Sequence, residues 1–105
     1  MIRLKGRRVS AEVRAFVRWL ETVMDVRHTV EIHVCKRLRA FFDAPGKYTG
    51  FHPYMVVSLD DAEILTTIAH ELVHYEQWRD KRDENERGVE QRAAALVRRW
   101  KREAA

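Results

Sequence analysis

The sequence predicts a single α+β domain, because helical and strand-like hydrophobic periodicities occur in different parts of the chain. Apolar residues recur every three or four positions over residues 13–24, and again over residues 64–75 and 89–100. Residues 30–34 instead alternate apolar and polar side chains, as a half-exposed strand does. With 105 residues, the chain is long enough for one domain, 1–105, and too short for two.

The first helix is predicted to begin after Ser10, whose hydroxyl is a good N-cap. Its core-facing stripe consists of apolar residues at helical spacing: Val13, Phe16, Val17, Leu20, Val23 and Met24. The next segment, Thr29 to Leu38, changes period and predicts a strand. In that strand Val30, Ile32 and Val34 share one face, and His33 lies on the polar face.

A second extended region is predicted from Tyr48 to Ser58, after the turn residues Asp43-Ala44-Pro45-Gly46. Its most strand-like part is Tyr54-Met55-Val56-Val57-Ser58. Pro53 cannot donate a ladder hydrogen bond, so we expect a sheet edge or a bulge there. An edge strand beside a catalytic helix could hold an extended peptide by main-chain pairing, although an edge strand without a partner fits equally well.

Two further helices are predicted from Asp60 onward. Asp60 and Glu63 form a capping-box pattern, and the helix that they open should run to about Lys81. A second D-x-x-E pattern, from Asp83 to Glu86, opens a final helix with an apolar stripe at Val89, Ala93, Leu96, Val97 and Trp100. The expected fold is an N-terminal helix, a small antiparallel or mixed sheet with an edge strand, and these two helices.

The segment His70-Glu71-Leu72-Val73-His74 has the pattern H-E-x-x-H. On a helix, His70 and His74 lie one turn apart on the same face, so both imidazoles can bind one metal ion. Glu71 lies to the side, where its carboxylate can act on a water molecule as a general base. Two nitrogen ligands, an open coordination position and a carboxylate base predict a Zn²⁺-dependent hydrolase. A surface helix with two solvated histidines is the alternative interpretation.

A catalytic zinc ion commonly has a third protein ligand, and the main candidates are Glu90 and Glu86. If the helix that contains the H-E-x-x-H segment ends near Lys81, the part of it that follows His74 is roughly 10 Å long. A final helix that begins at Asp83 and returns antiparallel then brings Glu90 level with His74, whereas Glu86 falls about 6 Å short. Glu90 is also expected on the inward side of that helix, where a carboxylate needs a partner. This arithmetic favours Glu90 and leaves Glu86 as the alternative.

The H-E-x-x-H segment, followed on the next helix by Glu90-Gln91-Arg92-Ala93, resembles the gluzincin metallopeptidases. In that clan a glutamate, often within E-x-x-A, completes the site. The chain is similar in size to the minimal gluzincins and to peptidase domains of the ImmA/IrrE kind, and the match covers about Asp60 to Arg98. The resemblance implies a zincin-like fold, zinc-dependent peptide-bond hydrolysis with Glu71 as general base and acid, and His70, His74 and Glu90 as metal ligands.

Two parts of a gluzincin site are not assigned by the resemblance. Many gluzincins place an aspartate four residues after the ligand glutamate, and that position is Ala94 here. Support for a ligand histidine must then come from elsewhere, unless Glu86 is the ligand and Glu90 the supporting residue. The group that stabilises the oxyanion has four candidates: Tyr48, His52, Tyr54 and Tyr75.

The amino-acid composition indicates the cellular compartment and the kind of partner to expect. A lone cysteine, Cys35, excludes an internal disulfide and fits a reducing compartment, and no signal peptide or membrane-spanning stretch is apparent. We therefore expect a cytoplasmic protein without a membrane partner. The net charge is +4, but arginines are scattered among acidic residues, which disfavours nucleic-acid binding. The expected partner is a peptide or protein substrate, and the alternative function is a non-catalytic, metal-binding regulatory or protein-interaction module.

Overall fold

The structure is a computed structural model, and it describes residues 1–36, 41–43, 53–58, 62–81 and 86–104. Along the chain these residues form four strands and three helices, so the predicted α+β class is confirmed, whereas the strands Ile2–Lys5 and Phe41–Asp43 were not predicted. The elements are β1 (Ile2–Lys5), α1 (Ala11–Val23), β2 (Val30–Cys35), β3 (Phe41–Asp43), β4 (Tyr54–Ser58), α2 (Ile64–Arg79) and α3 (Glu86–Ala104).

The four strands form one mixed sheet in the order β1-β2-β4-β3. The pairs β1–β2 and β2–β4 are parallel, and only β3 runs antiparallel to its neighbour β4. The predicted mixed sheet is therefore confirmed, and its antiparallel alternative is wrong. The prediction of an edge strand at Tyr54–Ser58 is also wrong, because β4 lies between β2 and β3. Pro53 precedes the first residue of β4, a position that tolerates proline in an internal strand.

Strand β2 follows the predicted alternation. Val30, Ile32 and Val34 are buried, whereas the side chains between them are half-buried. The parallel register pairs Ile32 with Leu4 of β1 and with Met55 of β4, so these apolar residues share the face that the helices cover. Strand β1 was not predicted, since only two of its four residues are apolar and neither is fully buried.

Helix α1 begins where the sequence predicts. The Ser10 hydroxyl accepts a hydrogen bond from the backbone N–H of Val13 at 3.1 Å, which satisfies one of the unpaired donors of the first turn. The apolar stripe is buried at Val13, Phe16, Val17, Leu20 and Met24. The helix packs against β1, and its Phe16 ring meets Trp100 of α3 edge-on, with ring centroids 5.1 Å apart.

Helix α2 packs against β3 and β4 on one side and against α3 on another. It begins after Glu63, whose side chain makes no capping hydrogen bond, and it ends at Arg79, two residues before the predicted end. The predicted capping residues Asp60 and Asp83 lie outside the described residues. None of the described helices is both long and apolar enough to cross a membrane.

Candidate metal centre

The two histidines of the H-E-x-x-H segment converge on one point beside the start of α3. His70 Nε2 and His74 Nε2 are 3.2 Å apart. Glu86, the first residue of α3, brings one carboxylate oxygen to 3.3 Å from His70 Nε2 and the other to 3.0 Å from His74 Nε2. In the described part of the chain, this is the one group of three or more possible metal-binding side chains whose ligand atoms lie within 4.8 Å of one another.

These distances fit the donor set of a zinc ion. With Zn–N bonds of about 2.0–2.1 Å, two ligand atoms at a tetrahedral angle are about 3.3 Å apart. The histidine nitrogens are separated by 3.2 Å, and each lies 3.0–3.3 Å from a Glu86 oxygen. Two imidazoles and one carboxylate are also a ligand set that catalytic zinc uses, since it leaves a fourth position open. His70, His74 and Glu86 could therefore hold zinc with little rearrangement.

Glu71 is buried beside this group, with 9 % of its surface exposed. Burial raises the pKa of the Glu71 carboxyl above its ordinary value, and the nearby Glu86 carboxylate raises it further, whereas His70 and His74 lower it. A carboxylate with a raised pKa accepts a proton more readily near neutral pH, as a general base must. The environment of Glu71 is thus suited to proton transfer.

His74 has a supporting contact that the sequence analysis missed. Its Nδ1 lies 3.2 Å from the side-chain Oε1 of Gln77, and Gln77 is buried. A carbonyl oxygen can only accept, so Nδ1 donates in this contact, and in the neutral ring Nε2 would then have the lone pair that binds a metal. Gln77 thus orients His74 in the way that a carboxylate hydrogen-bonded to a metal-binding histidine does in other metal sites. The i, i+3 spacing on one helix could have identified it.

The structure brings Glu86, not Glu90, to the two histidines. Glu90 is exposed, so the prediction that it lies on the inward side of the last helix is wrong. The hairpin arithmetic began that helix at Asp83 and assumed an antiparallel return. The observed helix begins at Glu86, and Arg92, further along it, binds Glu76, which follows His74. In an antiparallel hairpin, residues further along α3 would contact residues earlier in α2, whereas here they contact later ones. The assumed antiparallel geometry therefore does not apply.

Helical periodicity does not separate Glu86 from Glu90. Glu86 lies three positions before Val89 and seven before Ala93, spacings that place residues on the same face of a helix. Glu90 has the same two spacings to Ala93 and Val97, and all three of these apolar residues are buried. The choice between the two glutamates therefore depends on how α3 crosses α2, which the spacing of apolar residues does not give.

The described oxyanion candidates, Tyr75 and Tyr54, make contacts away from the candidate metal centre. The Tyr75 hydroxyl accepts a hydrogen bond from the backbone N–H of Arg27 and lies 2.7 Å from His28 Nδ1, so it fixes the segment after α1. Tyr54 packs edge-on against His33, and with Cys35 they border a shallow cavity of about 350 Å³. The oxyanion candidates Tyr48 and His52 lie outside the described residues.

Comparisons with known proteins returned no match: no protein-family model, no curated protein and no solved structure has significant similarity to this chain.

Proposed function

We propose that this protein is a zinc-dependent peptidase of the minimal gluzincin kind, with a zincin-like fold. In this proposal His70, His74 and Glu86 bind the metal, and Glu71 is the catalytic base. The observation that carries the proposal is the convergence of two histidine nitrogens and a carboxylate, each 3.0–3.3 Å from the next, beside a buried glutamate. The proposed ligand set replaces Glu90 with Glu86.

The chain's own residues divide the chemistry between them. Zinc bound by this set would supply Lewis acidity, which lowers the pKa of water and polarises a peptide carbonyl. Glu71 takes a proton from the attacking water as the new carbon–oxygen bond forms. It returns that proton to the amine nitrogen as the carbon–nitrogen bond breaks. Gln77 keeps the proton of His74 on Nδ1 throughout, so that Nε2 stays available as a ligand.

The proposed location and partners follow from the same residues. We place the protein in the cytoplasm, where the thiol of Cys35 would stay reduced. Its substrate would be a peptide or an unfolded segment of a protein, since a domain of this size has little room for a deep pocket.

The decisive experiment combines metal analysis with a hydrolysis assay. Protein purified without chelator should contain about one zinc ion per chain by plasma emission, and it should cleave a denatured protein substrate. Glu71→Gln should lower the cleavage rate by about 10²–10⁴-fold with the zinc content unchanged, because only proton transfer is lost. His74→Ala should lose the zinc.

The matched control is Glu90→Gln, which makes the same chemical change at an exposed glutamate of α3. It should retain both zinc and activity. If Glu71→Gln cleaves as fast as the wild type, the assignment of the base is wrong. If the wild type binds zinc but cleaves none of a broad set of peptides, the non-catalytic, metal-binding module replaces the peptidase.

A further inference from the structure

A second pair of charged side chains joins α2 and α3. Arg92 donates from Nε to one oxygen of Glu76 at 2.6 Å and from Nη2 to the other oxygen at 2.8 Å. The Glu76 side chain is 7 % exposed, whereas that of Arg92 is 45 % exposed. Two parallel hydrogen bonds between a planar guanidinium and a carboxylate fix direction as well as distance. The pair can therefore set the relative orientation of the two helices.

This ion pair lies across the helix contact from the candidate metal centre. Glu76 follows His74 by two residues, which places it about 200° around α2. Arg92 follows Glu86 by six residues, which places it about 120° around α3 by the shorter way. The Glu76–Arg92 contact and the Glu86–histidine contact thus lie on opposite flanks of the interface, and the buried residues Val89, Ala93 and Leu96 of α3 lie between them.

The position of Glu86 depends on the orientation of α3. The C-terminal half of this helix is held on α1, where Trp100 packs on Phe16 and Glu103 accepts a hydrogen bond from Trp19. Glu86 is at the opposite end, and its side chain is 62 % exposed. Apolar contacts are non-directional and would allow α3 to tilt on α2, so a directional contact near its N-terminal half is needed to keep Glu86 in place.

We propose that Glu76 and Arg92 are a positioning pair, which sets how α3 crosses α2 and so holds Glu86 against His70 and His74. The inference rests on the proposed function in treating these three residues as the metal ligands. Neither member of the pair touches the metal, the substrate or Glu71 in this proposal. Arg92 acts only through the position of Glu86.

The first test is the zinc affinity of two Arg92 variants, measured by competition with a chromophoric chelator. Arg92→Gln removes the positive charge and the two parallel hydrogen bonds to Glu76. It should raise the zinc Kd by about tenfold, less than the loss of Glu86 itself, because only the position of that ligand changes. Arg92→Lys keeps the charge, remains a partner for buried Glu76, and should give a smaller increase. The matched control is Arg98→Gln, at an exposed arginine of α3; its Kd should equal that of the wild type.

Arg92→Gln in a Glu86→Ala background distinguishes an effect on the position of Glu86 from a general weakening of the helix packing. Without Glu86 there is no carboxylate to misplace, so Arg92→Gln should change the zinc Kd by less than about twofold there. If Arg92→Gln weakens binding equally in both backgrounds, or in neither, the positioning role is overturned.

A measurement without metal distinguishes failure of this inference from failure of the proposed function. Spin labels at Arg18 and Glu90, both exposed, report the distance between α1 and the N-terminal half of α3 in protein with Cys35 replaced by alanine. Arg92→Gln should shift or broaden that distance distribution. An unchanged distribution in a zinc-binding protein overturns the positioning pair alone. If the wild type binds no zinc but Arg92→Gln still shifts the distance distribution, the control of helix orientation is supported and the metal centre is refuted.

Discussion

Helices α1 and α2 are both packed on the same sheet, but they bury different kinds of side chain. The buried residues of α1 are all apolar. Every buried polar side chain in the described ranges belongs to α2, namely Glu71, Glu76 and Gln77. Burying such groups costs free energy unless each finds a partner, and a helix needs none of them to form. The composition of α1 is therefore explained by folding alone, whereas the buried polar side chains of α2 are the ones that the proposed metal centre and its positioning pair would use.

The two helices should consequently respond differently to substitution. Changes on the buried face of α1, other than at Phe16, which contacts Trp100 of α3, should lower the free energy of unfolding and leave zinc affinity unaltered in the folded protein. Changes at the polar positions of α2 and at the start of α3 should alter zinc affinity, with smaller effects on the unfolding of the metal-free chain. The following predictions test this division in order of decreasing expected effect.

Leu20→Ala should destabilise the protein by about 2–5 kcal/mol, because it leaves a cavity at a fully buried position of α1. The loss is measured by urea unfolding of metal-free protein. Arg14→Ala on the exposed face of α1 should change the free energy by less than about 0.5 kcal/mol. Zinc affinity of the Leu20 variant, measured where it is still folded, should match the wild type; a marked loss would contradict the division between the helices.

Glu86→Ala should weaken zinc binding by about 100-fold or more, since loss of a direct ligand should exceed the loss of an outer partner. Glu90→Ala should leave the affinity unaltered, because that side chain is exposed and outside the group of converging ligand atoms. Isothermal titration with zinc compares the two variants directly. The reverse ranking would restore Glu90 as the third ligand and remove the basis of the proposed centre.

Gln77→Leu should weaken zinc binding by about tenfold, because His74 would lose the acceptor that holds its proton on Nδ1. The NMR shifts of the imidazole nitrogens should show a mixture of tautomers in the metal-free variant. Gln91→Leu, the same change at an exposed position of α3, is the control. Equal affinity of the Gln77 variant and the control would show that His74 is oriented by other means.

The smallest expected effect is a difference in the pH dependence of stability. Burial raises the pKa of Glu71 above its ordinary value of 4.5, so the folded chain binds the proton more tightly than the unfolded chain does. This tighter proton binding stabilises the folded chain fully at pH values below the unfolded pKa. The stabilisation is lost as the pH rises through the raised pKa of the folded state. Glu71→Gln removes this loss, so the metal-free variant should gain stability relative to the wild type as the pH rises from 4 to 7.

Urea unfolding at several pH values, in the presence of chelator, measures that difference. Because Glu71 interacts with His70 and His74, the difference between the two proteins reports the carboxyl group together with its coupling to these histidines. Parallel stability curves for the two proteins would mean that Glu71 is not desolvated in the metal-free state. Glu90→Gln, at an exposed position of α3, should follow the wild type.

The local parts of the fold were predictable, and the long-range parts were not. The cap at Ser10, the alternation in β2 and the strand Tyr54–Ser58 depend on neighbouring residues, and all three were found. The order of strands depends on pairing across the chain, so the internal position of β4 escaped prediction. Pro53 was misleading because a proline just before a strand and a proline on an edge strand have the same local sequence.

The candidate site shows the same limit. The convergence of His70 and His74 follows from one helical turn, and the structure brings their nitrogens together. The third side chain belongs to another helix, so its identity depends on where that helix begins and on how it crosses α2. The arithmetic assumed an antiparallel hairpin and selected Glu90. The zincin-like fold, the zinc and the peptidase activity stay predictions that the experiments above address.

The place of Glu86 at the very first residue of α3 has a kinetic consequence. Terminal turns of helices open far more often than their interiors, at a small fraction of the free energy of global unfolding. The two histidines, by contrast, belong to the middle of a helix that is packed on the sheet. Exchange of a bound ion with a chelator would therefore be paced by the opening of one terminal turn, and it would proceed while the rest of the chain keeps its native contacts.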